Sequence, residues 1–225
     1  MMTGNAQWIH TDPVMPDGDA GELLHAVGTA EALPGLTAVL TGERPRLNSP
    51  DGLRHFLHGY LHEILLPVEL PAVLTAWEAA GEGHFRDLVR LDRRLCDEPC
   101  LQSFRAASCA VGRRQLNKLR PLRDQRFLQR YREAVEHGEA SAWHTTVYGL
   151  TLSLYSLPLR NGLQHLATRT LAGFAMNAAT DFGLRLRDCE NELRNLVANL
   201  PGQVNTVLDH SGIGSLGLFD PPQLP

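Results

Sequence analysis

Residues 90–119, RLDRRLCDEPCLQSFRAASCAVGRRQLNKL, limit the possible folds more than any other stretch. A charged helical segment is interrupted at Asp97-Glu98-Pro99, since a proline disfavours helix in the residue before it. A longer amphipathic segment follows, in which Phe104, Ala107, Val111 and Leu119 recur at helical spacing. Ala106, Ser108, Ala110 and Gly112 fill the positions between them. Small side chains let a second helix come close, so the spacing predicts a central packing helix over about 100–119. Its specific polar members are expected to be Arg105, Ser108, Arg113 and Arg114.

The flanking sequence follows the same pattern. A helix is predicted over 19–33, capped by Asp19 and stopped before Pro34. The next opens at Ser49-Pro50-Asp51, carries the stripe Leu53, Phe56, Leu57, Tyr60, Leu61 and Ile64, and closes at Pro67. Helices over 68–80 and 84–96 lead to the central one, and Pro121 separates that from a charged surface helix over 124–137. The apolar run 142–157 fits a buried strand or a buried helix equally by periodicity; its helical neighbours favour helix. Leu163, Leu166, Thr170, Leu171, Phe174 and Ala178 line a long helix over 160–183. A last helix, marked by Leu186, Leu193, Leu196, Val197 and Leu200, is expected to end at Pro201-Gly202. The expected fold is all-α: a loose leader over 1–17, one bundle of about eight to ten helices over 18–202, and a Gly/Pro-rich tail over 203–225 without regular structure.

Composition removes several function classes. A net charge of -4 gives no general reason to expect nucleic acid or an anionic membrane as partner. No run of about 18 apolar residues is present to span a bilayer, and residues 1–19 lack the basic and apolar regions of a secretory signal. Lys118, the only lysine, lies between Asn117 and Leu119, so no Walker A loop exists to hold a nucleotide. Cys96, Cys100, Cys109 and Cys189 are not spaced as a disulfide framework or a zinc site, which points to structural thiols and a cytoplasmic compartment.

Gly212, Gly214 and Gly217 spell GxGxxG, but only eight residues follow, and Pro221, Pro222 and Pro225 are among them. The helix that a dinucleotide fingerprint requires has no room. His55, His58 and His62 share one helix face, and imidazoles suit nickel, zinc or copper. Three down a helix are too spread for one ion, so polar-face histidines are the simpler account. Glu63 is outside any HExxH motif because Leu66 occupies the second histidine's place. No nucleophile–base pattern emerges, and no catalytic residue is expected.

Three features together resemble the UreF family of urease accessory proteins. Leu91-Asp92, then Arg105, Ala107, Ser108, Gly112 and Arg113, is similar to its Leu-Asp and Arg-x-Ala-Ser-x-x-x-Gly-Arg signature. His144, Val147 and Gly149 are similar to the His-x-x-Val-x-Gly that opens a buried helix, and the layout from Leu23-Leu24 to Leu218-Phe219 agrees in order. The resemblance implies an all-helical homodimer without activity or cofactor of its own. Such proteins bridge a UreD/UreH-type scaffold and the UreG GTPase while nickel is inserted into apo-urease. It also implies a scaffold interface in the tail, at His210, Gly212, Gly214, Gly217, Leu218 and Phe219, with Arg105 and Arg113 supporting the helical core. The sequence departs from the family at Pro34-Gly35-Leu36-Thr37 and at Gly217, both in regions where the family meets partners. The competing class is an all-α cofactor-binding protein of haem-oxygenase type, with His25 as the ligand.

Overall fold

Ser49 starts the first described helix as its sequence implies: the side chain accepts from the Gly52 amide at 3.1 Å, and Pro50 sits in the first turn. The computed structural model describes residues 49–119 and 125–210. The helix predicted over 19–33, His25, Pro34 to Thr37 and residues 211–225 lie outside the described residues.

Helix α1, Pro50–Tyr60, buries Leu53, Leu57 and Tyr60. Pro67 does not close it. Residues Leu61–Glu69 continue as a π-helix with Pro67 inside, and α2, Leu70–Gly81, follows without a break. Proline cannot donate the α-helical hydrogen bond and clashes with the carbonyl four residues back. The wider π turn moves that carbonyl away and does not need the missing bond. The result is one 32-residue helix, Pro50–Gly81, long and apolar enough by composition to cross a membrane. Sequence reading missed it by stopping the helix at Pro67. More than half of its most apolar window is buried inside the bundle, as in a core helix.

Helix α3, Phe85–Asp97, leads through a 3-10 turn, Pro99–Phe104, into α4, Arg105–Lys118. Helix α5 spans Arg126–Glu136 and α6 spans His144–Leu154. Every residue of α6 from His144 to Leu152 is buried, which explains the absence of a polar face in its sequence. It is the middle of the bundle: α2 lies along one side and α4 along another. Gly149 permits the first contact, since a Cβ there would sit 2.3 Å from the Val73 carbonyl oxygen and 2.7 Å from Ala76 Cβ. Helix α7, Leu159–Asp181, carries α8, Leu186–Val197, and α9, Leu200–His210.

The last of these corrects the expected stop at Pro201-Gly202. Pro201 lies in the first turn of α9, where its fixed φ is preorganised and no amide is needed, so the pair starts a helix. Residues 203–210, expected to lack regular structure, belong to that helix. Phe56, Tyr60, Phe104 and Phe174 pack edge-on or tilted at 4.7–5.9 Å where α1, the 3-10 turn and α7 meet. The architecture is all-α, with no strand among the described residues.

Candidate functional site

Asp92, on α3, is fully buried and takes four donors. Its Oδ1 accepts from the Trp143 amide at 2.7 Å and the Tyr131 hydroxyl at 3.1 Å. Its Oδ2 accepts from the amides of Ala142, at 3.1 Å, and Ser141. One carboxylate therefore pins the chain that enters α6. Ala142 needs that support, because its φ of 58° is a left-handed conformation that a non-glycine residue adopts at a cost. Burial, then the Asp92 charge, pushes the Tyr131 phenol well above its ordinary value.

Helix α4 closes on the same turn. A Cβ at Gly112 would lie 1.9 Å from the Ala142 carbonyl oxygen, a contact only glycine allows. One turn earlier, Ser108 Oγ accepts the His144 amide at 3.1 Å and lies 2.6 Å from His144 Nδ1. The hydroxyl and Nδ1 share one hydrogen bond, whose direction follows the imidazole tautomer. Nε2 faces Glu69 Oε1 at 3.8 Å, and Glu69 Oε2 accepts from the Tyr60 hydroxyl at 2.6 Å.

Ser108, His144 and Glu69 thus have the composition of a hydrolytic triad without its working geometry. The acid is too far for a hydrogen bond to the imidazole, and Ser108, His144 and Glu69 are only 0%, 2% and 2% exposed. Burial lowers His144 to a pKa of about 3, so it is neutral, and 3.8 Å is not an ion pair. A base that weak, sealed from substrate, does not activate serine. The Ser108–His144 bonds tie α4 to α6, and the Tyr60–Glu69 bond ties the end of α1 to the end of the π segment beside them.

Glu69 gives this seam a pH signature. Burial raises its carboxyl from 4.5 to about 7, against the opposing Tyr60 bond. The unfolded chain therefore loses this proton first, and stability falls as pH rises from about 4.5 to 7. His144 works the other way: below its ordinary 6.5 the unfolded chain takes a proton that the fold refuses until about 3. Stability from His144 therefore rises with pH between about 3 and 6.5, and the slopes oppose between 4.5 and 6.5. Glu69→Gln is expected to remove the falling limb, worth about 3 kcal/mol. In urea titrations, the midpoint of the variant relative to wild type should increase from pH 5 to pH 8. A constant difference would contradict this assignment.

The seam gathers Ser108, Gly112 and His144, and Gly149 continues it one face further along α6. Arg105 and Arg113 do not support the core: both are exposed. The buried face of α4 is taken by Ser108, Val111, Gly112, Gln115 and Leu116, which leaves the arginines outside. His55, His58 and His62 are also exposed. His58 and His62 stack at 4.3 Å, and no group of three potential metal ligands occurs among the described residues. Burial and the neighbouring His58 lower the His62 pKa. The four cysteines are free, and Cys100 and Cys109 are pushed up to about 11, chiefly by burial, so neither is an activated thiolate. His210 ends α9; Gly212, Gly214, Gly217, Leu218 and Phe219 fall outside the described residues.

The sequence marks Asp92 only as half of a Leu-Asp pair and Tyr60 only as a position in an apolar stripe, and it gives Glu69 no role. A signal was available for Glu69 alone, a lone acid in the apolar run ILLPVELPAVL; Asp92 stands among the charges of RDLVRLDRRLCDE. The family model for UreF matches residues 47–179, more than half of the chain, and the whole seam lies within it. No curated protein matches the chain.

Proposed function

Because the chain belongs to the UreF family and so has a urease accessory role, we propose that it is a non-catalytic assembly factor. In this reading it bridges a UreD/UreH-type scaffold and a UreG-type GTPase in the cytoplasm while nickel, the cargo, enters apo-urease. It acts as a homodimer.

The observation that carries this reading is the fate of the signature residues. Ser108, Gly112, His144 and Gly149 are all buried in helix contacts, so their chemistry is spent on holding a rigid bundle. Recognition then falls to the outer helix faces and the tail. The missing Walker A lysine fits the same division of labour, since nucleotide hydrolysis belongs to the partner. We assign the scaffold contact to His210, Gly212, Gly214, Gly217, Leu218 and Phe219. A Gly-rich segment can order on a partner at the cost of its own entropy.

The test is activation of apo-urease in a host that makes the matching urease and its other accessory proteins. With the full chain, urease should acquire nickel and activity; omission of the chain should abolish both. Truncation after His210 should behave like omission and lose the scaffold on co-purification. Full activation without the chain would refute the reading, and a truncated chain that still holds the scaffold would refute the tail assignment.

A further inference from the structure

The charge of this chain is unevenly placed. Residues 105–132 hold nine of the 21 Lys/Arg and one of the 25 Asp/Glu, a local net of +8, which leaves -12 for the rest. Arg105, Arg113, Arg114 and Lys118 are exposed on α4, and Arg126 and Arg130 are exposed on α5. The two helices flank one hub: Ser108 and Gly112 of α4 and Tyr131 of α5 all converge on the turn that Asp92 pins. Arg130 is held in place, its guanidinium 4.2 Å over the Phe85 ring.

Two observations show that helix stability does not account for these cations. Three arginines elsewhere have a carboxylate three residues away, Arg54 with Asp51, Arg90 with Asp87 and Arg185 with Asp188. Among the described residues, Arg105, Arg113, Arg114 and Arg126 make no such ion pair. The placement also opposes the helix dipole at both N-terminal ends and at the end of α5, though Lys118 at the end of α4 agrees with it. Neither α4 nor α5 has an acid in its first turn; Arg105 and Arg126 stand there instead, while Glu133 and Glu136 close α5. Dipole compensation favours the reverse order. Like charges thus crowd one stretch of the chain at a cost in self-repulsion that a partner of opposite sign would relieve.

We propose that the outer face of α4 and the N-terminal half of α5 form a docking surface for a carboxylate-rich face of a partner protein in the maturation complex. This rests on the assembly reading above. Guanidinium groups pair with carboxylates through two parallel hydrogen bonds, which gives such a face direction as well as charge. A protein partner fits better than a nucleic acid, because a long polyanion would run from the patch onto a surface of net -12.

The test uses the full chain with its matching UreD/UreH-type and UreG-type proteins. The variant is Arg113→Glu/Arg114→Glu/Arg126→Glu, and Arg185→Glu/Arg187→Glu, exposed at the start of α8, is the charge control. The changed residues are exposed, where a charge at a helix end or a surface ion pair is worth about 1 kcal/mol or less, so both variants should keep the wild-type circular dichroism and melt within a few degrees of wild type. The triple variant is expected to bind at least one partner about 100-fold more weakly, with a shallower salt dependence, while the control binds as wild type. Unchanged affinity of the triple variant for both partners would overturn the proposal. So would a change in its sedimentation that the control lacks, which would assign the face to a second copy. Tighter wild-type binding to a 20-base-pair DNA duplex than to either partner, lost in the triple variant, would assign it to nucleic acid. Wild-type protein that ignores both partners would instead defeat the assembly reading itself.

Discussion

Asp92→Ala is expected to leave the protein largely unfolded at room temperature. The substitution strands three backbone amides, of Ser141, Ala142 and Trp143, and the Tyr131 hydroxyl, all of which bond to this carboxylate. Each buried donor left without a partner costs about 1–3 kcal/mol. Four together approach the whole stability of a typical domain, about 5–15 kcal/mol. The cavity and the unsupported left-handed Ala142 add to the loss. Asp92→Asn separates the terms, because it keeps the volume and one acceptor while facing an amide N–H with an NH2 group. It should fold but melt well below wild type. Wild-type melting of Asp92→Ala would show that the turn before α6 does not depend on this residue.

Gly112→Ala is the second large effect. The new methyl would meet the Ala142 carbonyl oxygen at 1.9 Å, and a backbone atom cannot rotate away. Helix α4 must then back off from α6, which lengthens the Ser108 contacts to His144. Overpacking of this kind costs about 1–3 kcal/mol, and the loss of those bonds adds to it. At about 2–4 °C per kcal/mol for a chain of this size, a melting temperature lower by about 10 °C is expected. Gly162→Ala is the contrast. Its Cβ would meet only the Leu152 side chain, at 2.5 Å, and a leucine can change rotamer. Equal losses at the two sites would contradict the claim that backbone contact at Gly112 sets the α4–α6 distance.

Helix type and most helix positions were legible in the sequence because apolar spacing and capping residues act locally. Ser49 with Pro50 is the plainest case, and the uniformly apolar α6 is the next. Prolines were misjudged wherever tertiary structure changed their meaning. Pro67 is absorbed by a π turn, and Pro201 opens a helix where a stop was expected. Local pattern alone does not distinguish those outcomes.

The seam was half legible for a similar reason. Ser108, Gly112, His144 and Gly149 stood out as motif residues, but their meeting depends on packing between segments 36 residues apart. The role of Asp92 depends on partners about 50 residues away. The family resemblance implies that Arg105 and Arg113 support the helical core. The helix turns them outward, where their charge is free to act on a partner.

The measurement that bears most directly on the assembly role is size-exclusion chromatography of the full chain co-expressed with its matching UreD/UreH-type and UreG-type proteins. A single peak containing all three proteins, which loses the scaffold when the chain is cut after His210, is the result expected. Elution of the chain by itself, with both partners present and folded, would contradict the role in urease maturation proposed here.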